Sequence, residues 1–251
     1  MKNVLMIGSS HSACFSQIDA FPELQLSIAA NQATGLFKNL QIDENGVISC
    51  DDKIKEWNNA VFNKSLGASS RYINDYNSII LNVRFNCNLP SIFNSSLAQS
   101  QPINLYSFEL IKRVIENSLM KDSVGLQGNR NLIQKLSSFG YSGSIFLMIT
   151  PFTTSKNQDS VHDENICASR KQFLLDFISL NLGRELGVKV LLPTASMINS
   201  HLFIHSKYAA GTESTWKGSD RKESSIGKDL NHKNKQYALD VLRANAKILG
   251  I

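Results

Sequence analysis

The segment "VLMIGSSHSACF", residues 4–15, joins a short apolar run to a turn rich in Gly and Ser. Such a segment is typical of a secretion signal's tail, of a phosphate-binding turn at a helix start, or of a buried strand that presents a nucleophile. The apolar run after Lys2 extends only from Val4 to Ile7, shorter than the roughly 7 to 15 residues of a signal peptide. Neither G-x-G-x-x-G nor the P-loop pattern with its Lys is present, so the phosphate-binding interpretation ranks below the strand.

The composition is that of an ordinary globular protein, with 251 residues of which 42% are apolar and 19% charged. This length suits one large domain, and we expect a single domain over residues 1–251. The net charge of +5 is spread along the chain, which argues against a nucleic-acid partner. No stretch is long enough to span a bilayer, so the sequence predicts no membrane span. An oligomeric state does not follow from these features.

Cysteine and histidine spacing gives no sign of a metal site. The four cysteines lie far apart and form no C-x-x-C pair, which also argues against a disulfide framework. His162, His201 and His205 have no acidic or cysteine partner at ligand spacing. We therefore expect no metal, no other cofactor, reduced thiols and a cytoplasmic location.

Short apolar, β-branched runs alternate with helical patterns along the chain. This alternation is typical of parallel strands joined by crossover helices. The sequence predicts an α/β fold: a three-layer α/β/α sandwich around a flavodoxin-like, five-stranded parallel sheet. The predicted strands are Asn3 to Ser9, Leu24 to Ala29, Ser78 to Val83, Ser144 to Thr150 and Lys189 to Pro193.

Two apolar stripes with helical period predict helices, and a turn signal predicts a hairpin. The first helix ends near Gly187, a natural C-terminal cap, and the second closes the chain. The stripes are Phe173, Phe177 and Leu180, with Leu174, Ile178 and Leu182 beside them, and Tyr237, Val241, Ala244 and Ile248, flanked by Leu242 and Leu249. Between "LQI" and "VIS", the turn Asp43-Glu44-Asn45-Gly46 predicts a small hairpin.

Ligands in an open parallel sheet bind at the carboxyl ends of the strands. The residues that follow the first four predicted strands are therefore candidates: Ser9 to His11, Asn31 to Gly35, Arg84 to Asn88, and Thr150 to Phe152. Ser10 is a poor nucleophile unless an imidazole takes its proton and a carboxylate orients that imidazole. Near the C-terminus, "GKDLNHKNKQYALDVL" supplies Asp229 and His232 three residues apart, on a predicted loop that enters the final helix.

These two blocks resemble those of the SGNH hydrolase superfamily. Gly8-Ser9-Ser10-His11 is similar to its G-D-S-L block, especially the bacterial variants that read G-N-S-H, and Asp229-Leu230-Asn231-His232 is similar to its D-x-x-H block. The chain order of the blocks also agrees. The resemblance implies a serine hydrolase with Ser10 as nucleophile, His232 as base and Asp229 as its partner.

The middle blocks of the family fit less closely. Arg84-Phe85-Asn86-Cys87 stands where the family has G-x-N-D, which implies that Asn86 donates to the oxyanion together with the backbone N–H of Ser10. Arg84 replaces the glycine of that block and Cys87 its aspartate, so Asn88 is an alternative donor. Gly35 is the candidate for the glycine of the second block, and Asn31 could instead face the site.

Each of these residues also has a plain structural interpretation. Ser10 suits a helix N-cap, and His232 suits the first turn of the last helix with Asp229 as its cap. Asn86 and Asn88 lie among turn formers, where capping of backbone groups competes with an oxyanion role. His11 either lines the pocket or hydrogen-bonds within its loop.

A basic segment from Ser206 to Lys228 contains Trp216. It is either a flap over the substrate or, more in keeping with its composition, a solvated loop. The leading hypothesis is a serine esterase that acts on a small-molecule or glycan acyl ester, removing or transferring an acetyl-like group on a carbohydrate oxygen. The alternative is a noncatalytic glycan- or anion-binding protein on the same scaffold.

Overall fold

The structure is a computed structural model. It describes residues 1–9, 12, 14, 15, 18, 21–31, 41–49, 72–82, 89–95, 102–121, 123–149, 152, 154, 167–211 and 229–251.

The described chain forms strands β1 (Lys2–Ser9), β2 (Leu24–Asn31), β3 (Gln41–Ile42), β4 (Ile48–Ser49), β5 (Ser78–Asn82), β6 (Ser144–Met148), β7 (Lys189–Leu191), β8 (Ala209–Gly211) and β9 (Asp229–Lys233). Five of them form the central sheet in the order β2-β1-β5-β6-β7, and every neighbouring pair is parallel. This is the flavodoxin-like order, so the predicted fold class and all five predicted strands are confirmed.

Strands β1 and β5 form the interior of the sheet because the residues in their middle are apolar on both faces. All five residues of β5 are buried, and so is the run from Val4 to Ile7 in β1. A strand that is buried on both sides needs a layer on each face of the sheet. Helices flank the sheet and give the α/β/α arrangement.

The described helices are α1 (Leu89–Ser95), α2 (Phe108–Ser118), α3 (Ser123–Ser138), α4 (Ala168–Leu186), α5 (Lys235–Ala244) and α6 (Ala246–Leu249). Helix α4 ends at Gly187, whose φ of 68° is the left-handed conformation of a C-terminal cap, as predicted. Helix α5 begins after Asn234, whose side chain accepts a hydrogen bond from the N–H of Tyr237. No described helix combines the length and apolarity that a membrane crossing requires.

The buried faces of α4 and of the last helical segment are rotated from the predicted stripes. In α4 the buried line runs through Leu174, Ile178 and Leu182, whereas Leu180 is 58% exposed. At the C-terminus the helix is interrupted at Asn245, whose buried amide donates to the backbone oxygen of Leu192 at 2.9 Å. Ala244 and Ile248, both predicted to be buried, are exposed.

Two small antiparallel pairs accompany the central sheet. Strands β3 and β4 form the predicted hairpin, in which Asp43 accepts hydrogen bonds from the N–H groups of Asn45 and Val47, each at 2.9 Å. Gly46 adopts the positive φ of 75° that the turn requires. Strands β8 and β9 form the other pair, so Asp229 and His232 lie on a strand and not on the predicted loop.

Candidate functional site

The strand register places the topological switch point of the sheet between β1 and β5. The chain moves from β1 to β2 on one side and then returns past β1 to β5, so strand order reverses there. Ser9 pairs with Asn31 of β2, and Gly8 pairs with Asn82 of β5. The carboxyl ends of these three strands are therefore level, and the chain that follows Ser9 leaves the sheet at its expected ligand-binding edge.

A buried polar contact lies at this switch point. Ser12 is fully buried and Asn82 is 2% exposed, and the side-chain amide of Asn82 donates to the Ser12 hydroxyl oxygen at 3.0 Å. Gly8 makes room for the contact, since a Cβ at this position would lie 1.9 Å from the Ser12 oxygen. In the sequence, Ser10 therefore lies between Gly8 and Ser12, and Ser12 is hydrogen-bonded to the end of β5.

A second buried polar contact joins the C-terminal block to the loop after β6. Lys233, the last residue of β9, donates from its ammonium to the hydroxyl of Thr154 at 2.8 Å, and both residues are 2% exposed. Burial raises the pKa of the Cys14 thiol to about 12, and the positive charge of Lys233 opposes that rise. The Lys233 ammonium is thus within electrostatic reach of a residue just beyond Ser10.

Strand β9 places Asp229 and His232 in an irregular ladder. In a regular strand, residues three apart project to opposite faces of the sheet. Ala209 pairs with Lys233, and Gly211 pairs with Asp229. One residue of β8 but three residues of β9 lie between these two pairs. This bulge interrupts the regular backbone pairing between Asp229 and His232.

The structure gives only part of the predicted site. For Asn31, Asp229 and His232 it gives the backbone position, each on a strand at or beside the carboxyl edge. The other predicted site residues lie outside the described residues: Ser10, His11, Gly35, Arg84, Asn86, Asn88 and Trp216. The triad and the oxyanion hole therefore stay predictions.

One competing interpretation of Asp229 is wrong. The N-cap of the last helix is Asn234, because α5 begins only at Lys235. Asp229 lies five positions earlier, on β9, and does not cap that helix. His232 is likewise on the strand and not in the first turn of the helix.

Neither a metal nor a reactive thiol site is found in the described part of the chain. It contains no group of three or more His, Cys, Asp or Glu residues placed to hold a metal ion. Cys14 and Cys167 are buried and free of disulfides. With its raised pKa, Cys14 stays a thiol at neutral pH and is a poor nucleophile.

Four residues of this edge were not predicted from the sequence: Ser12, Asn82, Thr154 and Lys233. Asn82 gave a usable signal, because an amide at the end of the apolar run "SIILN" needs a buried partner. Lys233 gave none, since a lysine in the polar stretch "NHKNK" is normally solvated.

No protein-family model matches this chain, and no curated protein matches it either. Two solved structures show a distant likeness. A carbohydrate esterase family 2 enzyme with a carbohydrate-binding domain, from Corynascus thermopiles (Myceliophthora fergusii), has 9% identity and a TM-score of 0.34 over 100% of this chain and 67% of that chain. An acetyl xylan esterase from the rumen bacterium Butyrivibrio proteoclasticus has 11% identity and a TM-score of 0.33 over 99% of this chain and 64% of that chain. At these values the likeness transfers no activity and no residue role.

Proposed function

We propose that this protein is a serine esterase that removes or transfers a small, acetyl-like acyl group on a carbohydrate oxygen. Ser10 is the nucleophile, His232 the general base and Asp229 the carboxylate that orients the imidazole. The proposal draws on the two sequence blocks and on one structural observation: Lys233 is buried, with its ammonium hydrogen-bonded to Thr154, and its positive charge lowers the pKa of the Cys14 thiol against the effect of burial.

The effect of the Lys233 charge on the Cys14 thiol matters because it relates the N-terminal and C-terminal segments of the chain. Cys14 follows Ser10 closely in the sequence, and Lys233 directly follows His232. An ammonium that is buried at the edge of the sheet and acts on the Cys14 thiol requires both segments to be close together. The proximity supports a Ser–His pair that is separated by most of the sequence.

The proposed reaction proceeds in two acyl-transfer steps. His232 takes the proton of the Ser10 hydroxyl while the serine oxygen attacks the ester carbonyl carbon. The bond from that carbon to the sugar oxygen then breaks, and His232 returns the proton to the departing sugar hydroxyl. Water, or a second sugar hydroxyl, attacks the acyl-enzyme and gives its proton to His232, which passes it to Ser10 as the serine leaves. The products are the free acid, or a new ester, and the regenerated enzyme.

Negative charge on the carbonyl oxygen needs donors during both steps. The backbone N–H of Ser10, the side chain of Asn86 and the backbone N–H of Gly35 are the proposed donors, with Asn88 as the alternative to Asn86. The proposed substrate contacts are His11, Asn31, Arg84, Asn88 and Trp216. The carbohydrate part of the proposal follows from the resemblance, since bacterial relatives with the G-N-S-H variant are often associated with surface polysaccharides.

The test compares Ser10→Ala with Ser9→Ala, a neighbouring serine on β1. We expect the wild-type protein and Ser9→Ala to hydrolyse p-nitrophenyl acetate and to take one fluorophosphonate label, located on Ser10 by peptide mass spectrometry. Ser10→Ala should lose at least about 1,000-fold in rate and take no label, because loss of the nucleophile removes the covalent pathway. Full activity of Ser10→Ala would overturn the mechanism. Acetate release from acetylated oligosaccharides, with and without an added sugar acceptor, then separates hydrolysis from transfer.

A second candidate function is noncatalytic binding of a glycan or an anion on the same scaffold. The observation that favours it is Arg84, a cation that stands in the sequence where the related block has glycine, two positions after the last residue of β5. A wild-type protein that takes no fluorophosphonate label but binds acetylated or anionic oligosaccharides in calorimetry would support this function instead.

A further inference from the structure

We infer that Ser12 and Asn82 are positioning residues, whose side-chain hydrogen bond fixes the turn that presents Ser10. The inference rests on the proposed function and adds to it two residues that contact neither substrate nor reacting atoms. Its basis is the buried contact between the end of β5 and the segment after β1, at the switch point of the sheet.

The contact between Ser12 and Asn82 is buried on both sides. The amide of Asn82 terminates a strand whose five residues are all buried, and the Ser12 side chain is fully buried. Burying an amide and a hydroxyl costs free energy that an apolar pair would not cost, and one hydrogen bond recovers only part of it. An apolar pair would therefore stabilise this edge equally well. The polar pair adds a defined hydrogen-bond geometry, which an apolar pair lacks.

The chain between Ser9 and Ser12 is short, and both of its ends are held. Ser9 is held in the ladder by its pairing with Asn31, and Ser12 is held by the amide of Asn82 at 3.0 Å. Ser12 also folds back over Gly8, since a Cβ on that glycine would lie 1.9 Å from the Ser12 oxygen. Only Ser10 and His11 separate Ser9 from Ser12 in the sequence, so two held residues bracket the proposed nucleophile.

Among its described contacts, the Asn82 amide has no second acceptor as strong as the Ser12 hydroxyl. The Asn82 nitrogen also approaches the sulfur of Met6, at 4.0 Å, and a thioether is a weak acceptor. Loss of the Ser12 hydroxyl therefore leaves the amide poorly satisfied and releases the turn. Displacement of a nucleophile by about 1 Å can lower a rate about 100-fold.

The experiment uses Ser12→Ala, Asn82→Ala and the double variant, with Ser78→Ala as the matched control. Ser78 is a buried serine at the opposite end of β5. We expect each single variant to lower both kcat for p-nitrophenyl acetate and the rate of fluorophosphonate labelling of Ser10 by about 10- to 100-fold, with KM changed less than about twofold. The double variant should lose no more than the worse single variant, because both changes break one bond. Ser78→Ala should keep the wild-type rates.

Thermal melting ensures that rates are compared between folded proteins. Ser12→Ala and Asn82→Ala each test the inference alone, so poor folding of one does not remove the test. Wild-type rates in a folded single variant, losses that multiply in the double variant, or a change in KM at constant kcat would each overturn the inference. If the wild-type protein takes no label, the proposed function fails and this inference fails with it. If the wild-type protein labels and the variants label equally fast, only the inference fails.

Discussion

Gly8→Ala should be one of the most damaging single-methyl additions in this protein. The added Cβ would lie 1.9 Å from the Ser12 hydroxyl oxygen, 3.0 Å from the backbone oxygen of Asn82 and 3.1 Å from the Asn82 Cβ. Strand β5 cannot move away easily, because β1 and β6 pair with it on either side. Overpacking of this kind costs about 1 to 3 kcal/mol. Rotation of Ser12 away from the methyl group breaks its hydrogen bond with the buried amide, at a further cost of about 1 to 3 kcal/mol.

The two costs add to about 2 kcal/mol or more, which lowers the melting temperature of a chain of this size by about 4 °C or more. The coupling between positions is the sharper test. In a Ser12→Ala background the contact at 1.9 Å is gone, so Gly8→Ala should cost at least about 1 kcal/mol less there than in the wild type. Urea denaturation followed by circular dichroism measures the four free energies of unfolding. Equal costs of Gly8→Ala in the two backgrounds would refute the assigned packing of Ser12 against Gly8.

Two further predictions concern backbone strain and thiol ionisation. An added Cβ meets nothing within 4 Å at either Gly187 or Gly128, but Gly187 has a φ of 68° whereas Gly128 lies inside α3. Gly187→Ala should therefore destabilise the protein by about 1 to 2 kcal/mol, whereas Gly128→Ala should stabilise it by about 0.5 to 1 kcal/mol. Denaturant titrations measure both changes, and equal effects of the two substitutions would contradict the prediction. Burial raises the pKa of the Cys14 thiol to about 12, so as the pH rises the thiolate forms at a lower pH in the unfolded state than in the folded state. The stability that this thiol contributes is therefore fully present below about pH 9 and is lost as the pH rises towards 12. Cys14→Ala should reduce the loss of unfolding free energy between pH 9 and 11. Iodoacetamide at pH 8.5 should label Cys14 in urea but not in the native protein. Labelling of the native protein would show that the thiol is accessible and would contradict its burial.

The sheet could be predicted from the sequence because its physical requirement is local. A parallel strand with helices on both faces must be mostly apolar, and the runs "IIL" of residues 79–81 and "VLMI" of residues 4–7 meet that condition within a few residues. The ends of the strands were less predictable, since pairing with a neighbour decides them. Strand β6 ends at Met148, where the prediction reached Thr150, and β2 continues to Asn31 because Ser9 pairs with it.

The orientation of α4 could not be predicted, because apolar residues lie on two adjacent stripes of the same helix. Period alone does not choose between the line through Phe173 and the line through Leu174. The neighbouring helix decides: Phe173 packs edge-to-face on Phe108 of α2, with ring centroids 4.8 Å apart, and the Leu174 line turns to the core. Leu180 continues the Phe173 line beyond that contact and is therefore exposed.

The polar contacts of the candidate site could not be predicted for a different reason. Ser12 and Asn82 are 70 residues apart in the sequence, and Thr154 and Lys233 are 79 apart. No local period connects such pairs, and neither a buried lysine nor a buried serine differs in the sequence from an exposed one. What the strand endings did indicate was the edge of the sheet at which these contacts lie.

The D-x-x-H block shows how far a motif depends on the element that carries it. On a helix, residues three apart share a face, whereas on a regular strand they lie on opposite faces. Asp229 and His232 lie on β9, where regular geometry would assign positions three apart to opposite faces. Because β9 has two more residues than β8 between their paired positions, the alternation is broken within the block itself. Lys233 then ends the strand with its ammonium buried against Thr154, which fixes the residue next to His232. The bulge and this anchor therefore determine the backbone of a motif whose spacing alone would suggest a loop or a helix.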